Sequence, residues 1–153
     1  MTVVGTKRDT TAAPDAVDEI YPPEDLFEVL PRTDYLVIAC PLTPETREVI
    51  GREEIGALPD EAILVNIARG EIVDEPALVR ALQQRTIRGA AIDVYAEEPL
   101  PRESPLWDLS NVIMTPHMGG TTPKKPERTA EIFAQNYRAF VEGDPDGYVN
   151  RVF

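Results

Sequence analysis

The sequence predicts an α/β protein built on a parallel sheet. Three observations carry this. Tyr35-Leu36-Val37-Ile38-Ala39-Cys40 is a continuous apolar run, as expected of a strand buried on both faces of a parallel sheet. Further short apolar runs follow at Ala62–Asn66, Gly89–Val94 and Val112–Thr115. Helical patterns lie between the runs, and strands alternating with helices mark parallel βαβ units.

In chain order, Met1–Thr6 reads as a short apolar strand and Val17–Tyr21 as a weaker one, with a loop over Thr10–Asp18. Pro22 and Pro23 open a short helix around Glu24–Leu30, since proline is tolerated in a first turn. Pro41 ends the Tyr35–Cys40 strand. A helical stretch occupies Arg52–Leu58. Asp74 caps a helix over Glu75–Gln84, where Ala77, Leu78, Ala81 and Leu82 fall at helical spacing. A longer helix follows Pro126, with Ala130, Phe133, Tyr137, Phe140 and Val141 as one apolar stripe. Gly143 stops it, and Asp144–Gly147 is a loop. There is no internal repeat and no low-complexity tract.

A chain of 153 residues can bury a substantial core in one domain. It contains no apolar run near the roughly 20 residues that span a bilayer. Met1-Thr2-Val3-Val4-Gly5 lacks the basic start and cleavage site of a signal peptide. Cys40, the single cysteine, cannot form an internal disulfide and reads as a small buried residue at a strand end. A cytoplasmic protein is expected. Asp plus Glu number 27 against 15 basic residues, a net charge of −12. Lysine occurs only at Lys7, Lys124 and Lys125. Acid-rich, lysine-poor composition suits a salt-loving organism, whereas a mesophilic protein that is simply acidic is the ordinary reading. With no basic patch to neutralise phosphates, nucleic-acid binding is not expected. No metal-ligating set is read, and no membrane association.

The chemistry concentrates at three strand ends. Asn66-Ile67-Ala68-Arg69-Gly70, Asp93-Val94-Tyr95-Ala96-Glu97-Glu98-Pro99 and Asn111-Val112-Ile113-Met114-Thr115-Pro116-His117 each close a strand-like segment, and His117 is the only histidine. A guanidinium can grip a carboxylate with two hydrogen bonds. An imidazolium can give a proton to a carbonyl oxygen. A carboxylate beside the imidazole favours its charged form and holds the ring. Taken singly, each has an ordinary reading: a histidine in a turn, a solvated arginine, an acidic turn. Together and in this order they suit the reduction of a 2-oxo acid.

These strings resemble the D-isomer-specific 2-hydroxyacid dehydrogenase family. The resemblance runs from Met1 to Phe153 and is most specific from Asn66 to Thr121. It implies an oxidoreductase that transfers hydride between NAD(P)H and a 2-oxo acid or D-2-hydroxy acid. By position, Arg69 is similar to the substrate-binding arginine, Glu98 to the partner carboxylate and His117 to the acid/base. Asp93 is similar to the residue that faces the nicotinamide carboxamide. Cofactor contacts are expected at Cys40, Pro41, Thr43, Ala68, Gly119 and Gly120 as well. Thr6-Lys7-Arg8 ends the strand whose tip reads the cofactor's 2′-group. Basic residues there accept a 2′-phosphate, so NADP is favoured over NAD, and an unselective solvated loop is the alternative. The resemblance also implies a homodimeric parent.

The sequence departs from the family in one respect. No Gly-x-Gly-x-x-Gly occurs in it, although that string cradles the pyrophosphate. The expected fold is therefore an incomplete doubly wound parallel sheet, a Rossmann-like NAD(P)-binding domain without its first strand. Residues 1–135 are expected to form this partial domain. Residues 136–153 are expected to form a C-terminal helix and tail that return to a substrate domain. Met1 reads as an internal methionine of a longer protein, through truncation, a misassigned start or excision of a fragment. The chain alone is expected to be inactive. Formate dehydrogenases share the fold but use glutamine at the partner position, and Glu98 argues against them. A nucleotide-sensing or corepressor member of the family, and an inert gene remnant, are the alternatives.

Overall fold

The computed structural model describes residues 1–11 and 14–150. The chain divides into two compact units, residues 1–119 and 120–153. The first unit holds the strands β1 (Val4–Thr6), β2 (Glu19–Tyr21), β3 (Tyr35–Ile38), β4 (Ile63–Asn66), β5 (Gly89–Ile92) and β6 (Val112–Met114). Every pairing among them is parallel. They form two sheets, β1 beside β2, and β3-β4-β5-β6 in that spatial order. Part of the loop expected over Thr10–Asp18 lies outside the described residues.

The register decides where the loops emerge. Ile38 lies opposite Asn66, Asn66 opposite Ile92, and Ile92 opposite Met114. The four C-terminal ends are therefore level, and the loops after β3, β4, β5 and β6 leave from one sheet edge. Open α/β sheets bind their ligands at such an edge.

The helices of the first unit are α1 (Leu26–Val29), α2 (Arg52–Ala57) and α3 (Glu75–Gln84). The expected helix over Glu24–Leu30 is a single α-turn flanked by 3-10 turns at Pro23–Asp25 and Leu30–Arg32. Pro31 has no N–H and cannot continue it. At the start of α3, the Asp74 carboxylate accepts from the Ala77 N–H at 2.9 Å. Ala77, Leu78, Ala81 and Leu82 are buried on its inner face, as their spacing predicts.

The core gathers on one face of the larger sheet. Leu64, Ala90 and Ile92 pack there with Ile55 of α2, Leu78 and Leu82 of α3, and Ile72, Ile87 and Leu106. Fully burying each leucine or isoleucine contributes about 1.5–3 kcal/mol. Side chains of the opposite parity meet less: Val37 is 55% and Ile113 70% exposed. This corrects the reading of Tyr35–Cys40 as buried on both faces. β3 is one of the two edge strands of this sheet, and its Leu36 and Ile38 side alone joins the core. Cys40 is also corrected, because it is exposed. The strand stops at Ile38, which leaves Cys40 in the turn before Pro41.

The second unit contains α4 (Lys125–Glu142), with Pro126 in its first turn and Gly143 ending it at φ 66°. α4 runs unbroken through residues 135 and 136, where the sequence reading divides the chain. Asn136 holds the following tail with two bonds to Val149, of 2.8 and 3.2 Å. On the stripe read from the sequence, Phe133 and Tyr137 stack, and Phe140 and Val141 are exposed with them. Residues 151–153 of the expected tail lie outside the described residues. Among the described residues no helix is long and apolar enough to cross a membrane.

The charge of −12 bears on stability directly. Self-repulsion opposes the compact state, and about 1 M salt shortens the screening length to about 3 Å. The melting temperature is therefore expected to rise as KCl is raised from about 0.1 to 1 M. Calorimetry at both concentrations checks this, and a flat or falling melting temperature would mean that like charges do not govern the folded state.

Candidate functional site

The loop after β4 is built on Asn66, a polar residue at the end of an apolar strand and 2% exposed. Its side-chain oxygen accepts from the Ala68 N–H at 3.1 Å, and its amide donates to the Arg69 carbonyl at 3.0 Å. Asn66 thus shapes the turn that presents Arg69. The Arg69 guanidinium is exposed and donates one bond, at 2.6 Å, to the Ala68 carbonyl. Four of its five N–H donors are left for a ligand.

Gly70 lets this turn lie against the loop after β5. A Cβ at position 70 would stand 1.9 Å from the carbonyl carbon of Tyr95, so only glycine fits. The loop after β5 is held by one bond within it and one to α3. Tyr95 N–H donates to Glu98 Oε1 at 3.1 Å, and Ala96 N–H donates to Glu75 Oε2 at 3.0 Å. The peptide bond between Glu98 and Pro99 is cis.

The loop after β6 brings in His117. Its Nδ1 lies 2.7 Å from Glu98 Oε2. Hydrogen bonding to His117, then to the Tyr95 N–H, holds the Glu98 carboxyl below its ordinary 4.5 against partial burial, and the nearby Arg69 charge acts in the same direction. Glu98 is therefore ionised at neutral pH and can only accept. The hydrogen of this bond sits on Nδ1, which leaves Nε2 for another partner. Side-chain exposures of 43% for His117 and 37% for Glu98 keep the pair open to a ligand.

Asp93, at the tip of β5, is buried and ionised. The Thr115 hydroxyl is the largest cause of its depressed pKa. Burial opposes the shift, while the Met118 and Gly119 N–H groups and the His117 charge add to it. Oδ1 accepts from the Thr115 hydroxyl and from the Met118 N–H at 2.9 Å; Oδ2 accepts from the Gly119 N–H at 2.7 Å. A carboxylate offers about four acceptor directions, so one remains on Oδ2.

These two carboxylates set an acid limit on stability. A carboxyl with a depressed folded-state pKa contributes stability that is fully present above its unfolded pKa and lost as pH falls through the folded one. The stability from Glu98 and Asp93 should therefore decline below their ordinary 4.5 and 3.8. Asp93→Asn is expected to flatten the acid limb of a melting-temperature profile taken from pH 6 downward. A limb as steep as that of the parent would mean that Asp93 carries no such linkage.

The residues expected at the cofactor's 2′-group, Thr6, Lys7 and Arg8, lie at the end of β1, and the expected contacts Cys40, Pro41 and Thr43 follow β3. Thr6 ends β1, and the Lys7 N–H donates to the Tyr21 carbonyl at 3.1 Å. Thr46, which the sequence reading passes over, organises the turn after β3. Its hydroxyl accepts from the Thr43 N–H and donates to the Pro41 carbonyl, both at 2.7 Å. Glu45 lies in the turn after β3. Its carboxyl is depressed chiefly by the Thr43 hydroxyl and then by its own N–H, and the Arg8 charge adds to this. Ala68 is buried, Gly119 abuts Asp93, and Gly120 opens the second unit.

The structure therefore joins Glu98 to His117 and sets the Arg69 charge near them. It also reveals Asn66, Tyr95 and Thr115 as parts of the site. Asn66 could have been noticed as a polar residue at the end of a buried strand. Tyr95 and Thr115 act through bonds across more than one loop, which local spacing does not show.

The family model for the NAD binding domain of D-isomer specific 2-hydroxyacid dehydrogenases matches residues 1–119. A glyoxylate reductase of Pyrococcus furiosus is 45% identical over 127 residues, covering 82% of this chain and 38% of the relative. A D-3-phosphoglycerate dehydrogenase of Methanocaldococcus jannaschii is 43% identical over 121 residues, covering 79% and 23%. A D-isomer specific 2-hydroxyacid dehydrogenase from Xanthobacter autotrophicus Py2, solved with NADPH and MES, superposes with a TM-score of 0.88 at 38% identity. That match covers 99% of this chain and 60% of the solved one. The chain thus spans less than half the length of these two curated relatives.

Proposed function

Because the chain belongs to the D-isomer specific 2-hydroxyacid dehydrogenase family, we propose that it supplies the acid–base set for interconverting a small 2-oxo acid and a D-2-hydroxy acid. The observation that carries this reading is the 2.7 Å contact between His117 Nδ1 and an ionised Glu98, on which the Arg69 charge also acts.

A bound nicotinamide cofactor would supply or accept the hydride. Arg69 holds the substrate carboxylate through its unused donors. In reduction, His117 Nε2 gives its proton to the carbonyl oxygen as that oxygen becomes a hydroxyl, and in oxidation it takes the proton back. Glu98 orients the ring through its contact with Nδ1 and does not take up the proton itself. The remaining acceptor direction on Asp93 Oδ2 suits an amide N–H of the nicotinamide. Ala68 and Gly119 line the same strand edge. No Gly-x-Gly-x-x-Gly occurs in the sequence, so the chain by itself is expected to bind dinucleotide weakly and to turn over nothing.

A graft tests the reading. The 153 residues replace the matching segment of the Pyrococcus furiosus glyoxylate reductase, and loss of reduced cofactor is followed on adding glyoxylate and larger 2-oxo acids. Turnover supports the proposal. A folded graft that binds cofactor but leaves every 2-oxo acid unreduced contradicts it.

Cofactor choice is a separate expectation. If Lys7 and Arg8 accept a 2′-phosphate, replacing both by neutral residues should weaken NADPH binding to the graft by about tenfold to a hundredfold, the scale of a lost charged hydrogen bond. NADH binding should be nearly unchanged. Titration calorimetry with both cofactors decides this, and equal losses would assign the two residues to general charge alone.

A further inference from the structure

His117 sits at φ 50°, a left-handed conformation that is uncommon for a residue with a side chain. Pro116 precedes it, and the His117 N–H reaches back to the Thr115 carbonyl at 3.1 Å in a tight turn. Nothing in the His117–Glu98 pair itself explains why the backbone holds this shape, because Glu98 contacts only the ring.

The explanation lies behind the turn. Thr115 is fixed at three groups. Its hydroxyl donates to Asp93 Oδ1, and its carbonyl accepts from the Tyr95 hydroxyl at 2.9 Å. Its own N–H continues the sheet, donating to the Ile92 carbonyl at 3.0 Å. On the far side of His117, the Met118 and Gly119 N–H groups close onto the same Asp93 carboxylate. Residues 115 and 118–119 therefore grip one buried anion from either side of the histidine. Gly119 can close this tightly because a Cβ there would stand 2.9 Å from Asp93 Oδ2.

We propose that Thr115 is a positioning residue which, with Tyr95 and the Asp93 carboxylate, clamps the 115–119 turn and so holds His117 against Glu98. Its catalytic consequence rests on His117 being the acid–base group proposed above, but the clamp itself is a property of the fold. Thr115 touches no reacting atom and acts through the backbone of the histidine two residues on. The Thr115 hydroxyl has a donor's role here, so serine should replace it and valine, of nearly the same shape, should not.

The test is NMR on the full 153-residue chain and needs no turnover, which keeps its outcome separate from that of the activity assays. Two signals are read: hydrogen exchange at the Met118 and Gly119 amides, and the ring N–H resonance of His117, unambiguous in a chain with one histidine. In Thr115→Val, exchange at both amides is expected to quicken by about tenfold or more, and the ring N–H signal should broaden away. Thr115→Ser should keep both as in the parent, and Asp93→Asn should resemble Thr115→Val. Amides of β4 and β5 serve as the control and should change little in any variant. The proposal is overturned if Thr115→Val leaves both signals unchanged, or if Thr115→Ser is as damaging as valine. It is equally overturned if valine and Asp93→Asn loosen β4 and β5 as much as the turn, since the residues would then hold the sheet and not the histidine.

Discussion

Replacing His117 by alanine is expected to lower turnover of 2-oxo acid in the graft by about 10²–10⁴-fold, the usual contribution of a general acid. kcat and kcat/KM should fall together, because the proton is given only as the transition state forms. Folding should be little affected, as the side chain is 43% exposed and lies outside the core. Steady-state kinetics on parent and variant check this. A variant within a few-fold of the parent would remove His117 from the chemistry, and the meaning of its contact with Glu98 would have to be sought in the structure of the loop.

The second large effect is structural. Gly70→Ala places a methyl carbon 1.9 Å from the Tyr95 carbonyl carbon and 2.0 Å from its oxygen. Neither atom belongs to a flexible side chain, so relief requires the loops after β4 and β5 to part. Ordinary overpacking costs about 1–3 kcal/mol; a backbone displacement should reach the upper end or pass it, lowering the melting temperature by on the order of 10 °C. The parting loops are those that carry Arg69 and Glu98, so an assembled enzyme should also lose substrate affinity. Thermal unfolding of the variant decides the first point. A melting temperature within about 2 °C of the parent would show that the two loops are not tightly apposed.

The elements with strong local signals were legible in the sequence. β4 and β5 follow from apolar runs, α3 from its capping aspartate and its buried stripe, and the end of α4 from Gly143. β3 is the instructive exception. Its continuous apolar pattern reads as two-faced burial, yet Val37 faces outward, because pattern reports what a strand could bury and not what packs on it. The same limit explains Cys40, whose burial depended on the strand running two residues further than it does. At the site, Arg69, Glu98 and His117 could be named because each closes a strand in a distinctive string. Tyr95 and Thr115 could not be given roles, since their work is done by bonds to loops that only the parallel register brings level, whereas Asn66 works through bonds to residues 68 and 69 of its own loop. Asp93 reads from the sequence as a cofactor contact alone. Its three bonds within the chain come from residues 22 to 26 positions away.

The central claim is that this chain carries the proton-transfer half of a D-2-hydroxy acid dehydrogenation. It is tested most directly by following the hydrogen itself. The graft is given a 2-oxo acid and reduced cofactor deuterated at the transferring carbon, and the product is examined for label and configuration. The account predicts a D-2-hydroxy acid with one deuterium on the carbon bearing the new hydroxyl, formed at a rate that collapses in His117→Ala. An unlabelled product, an L-configured one, or a labelled D-product formed equally fast without His117 would contradict it.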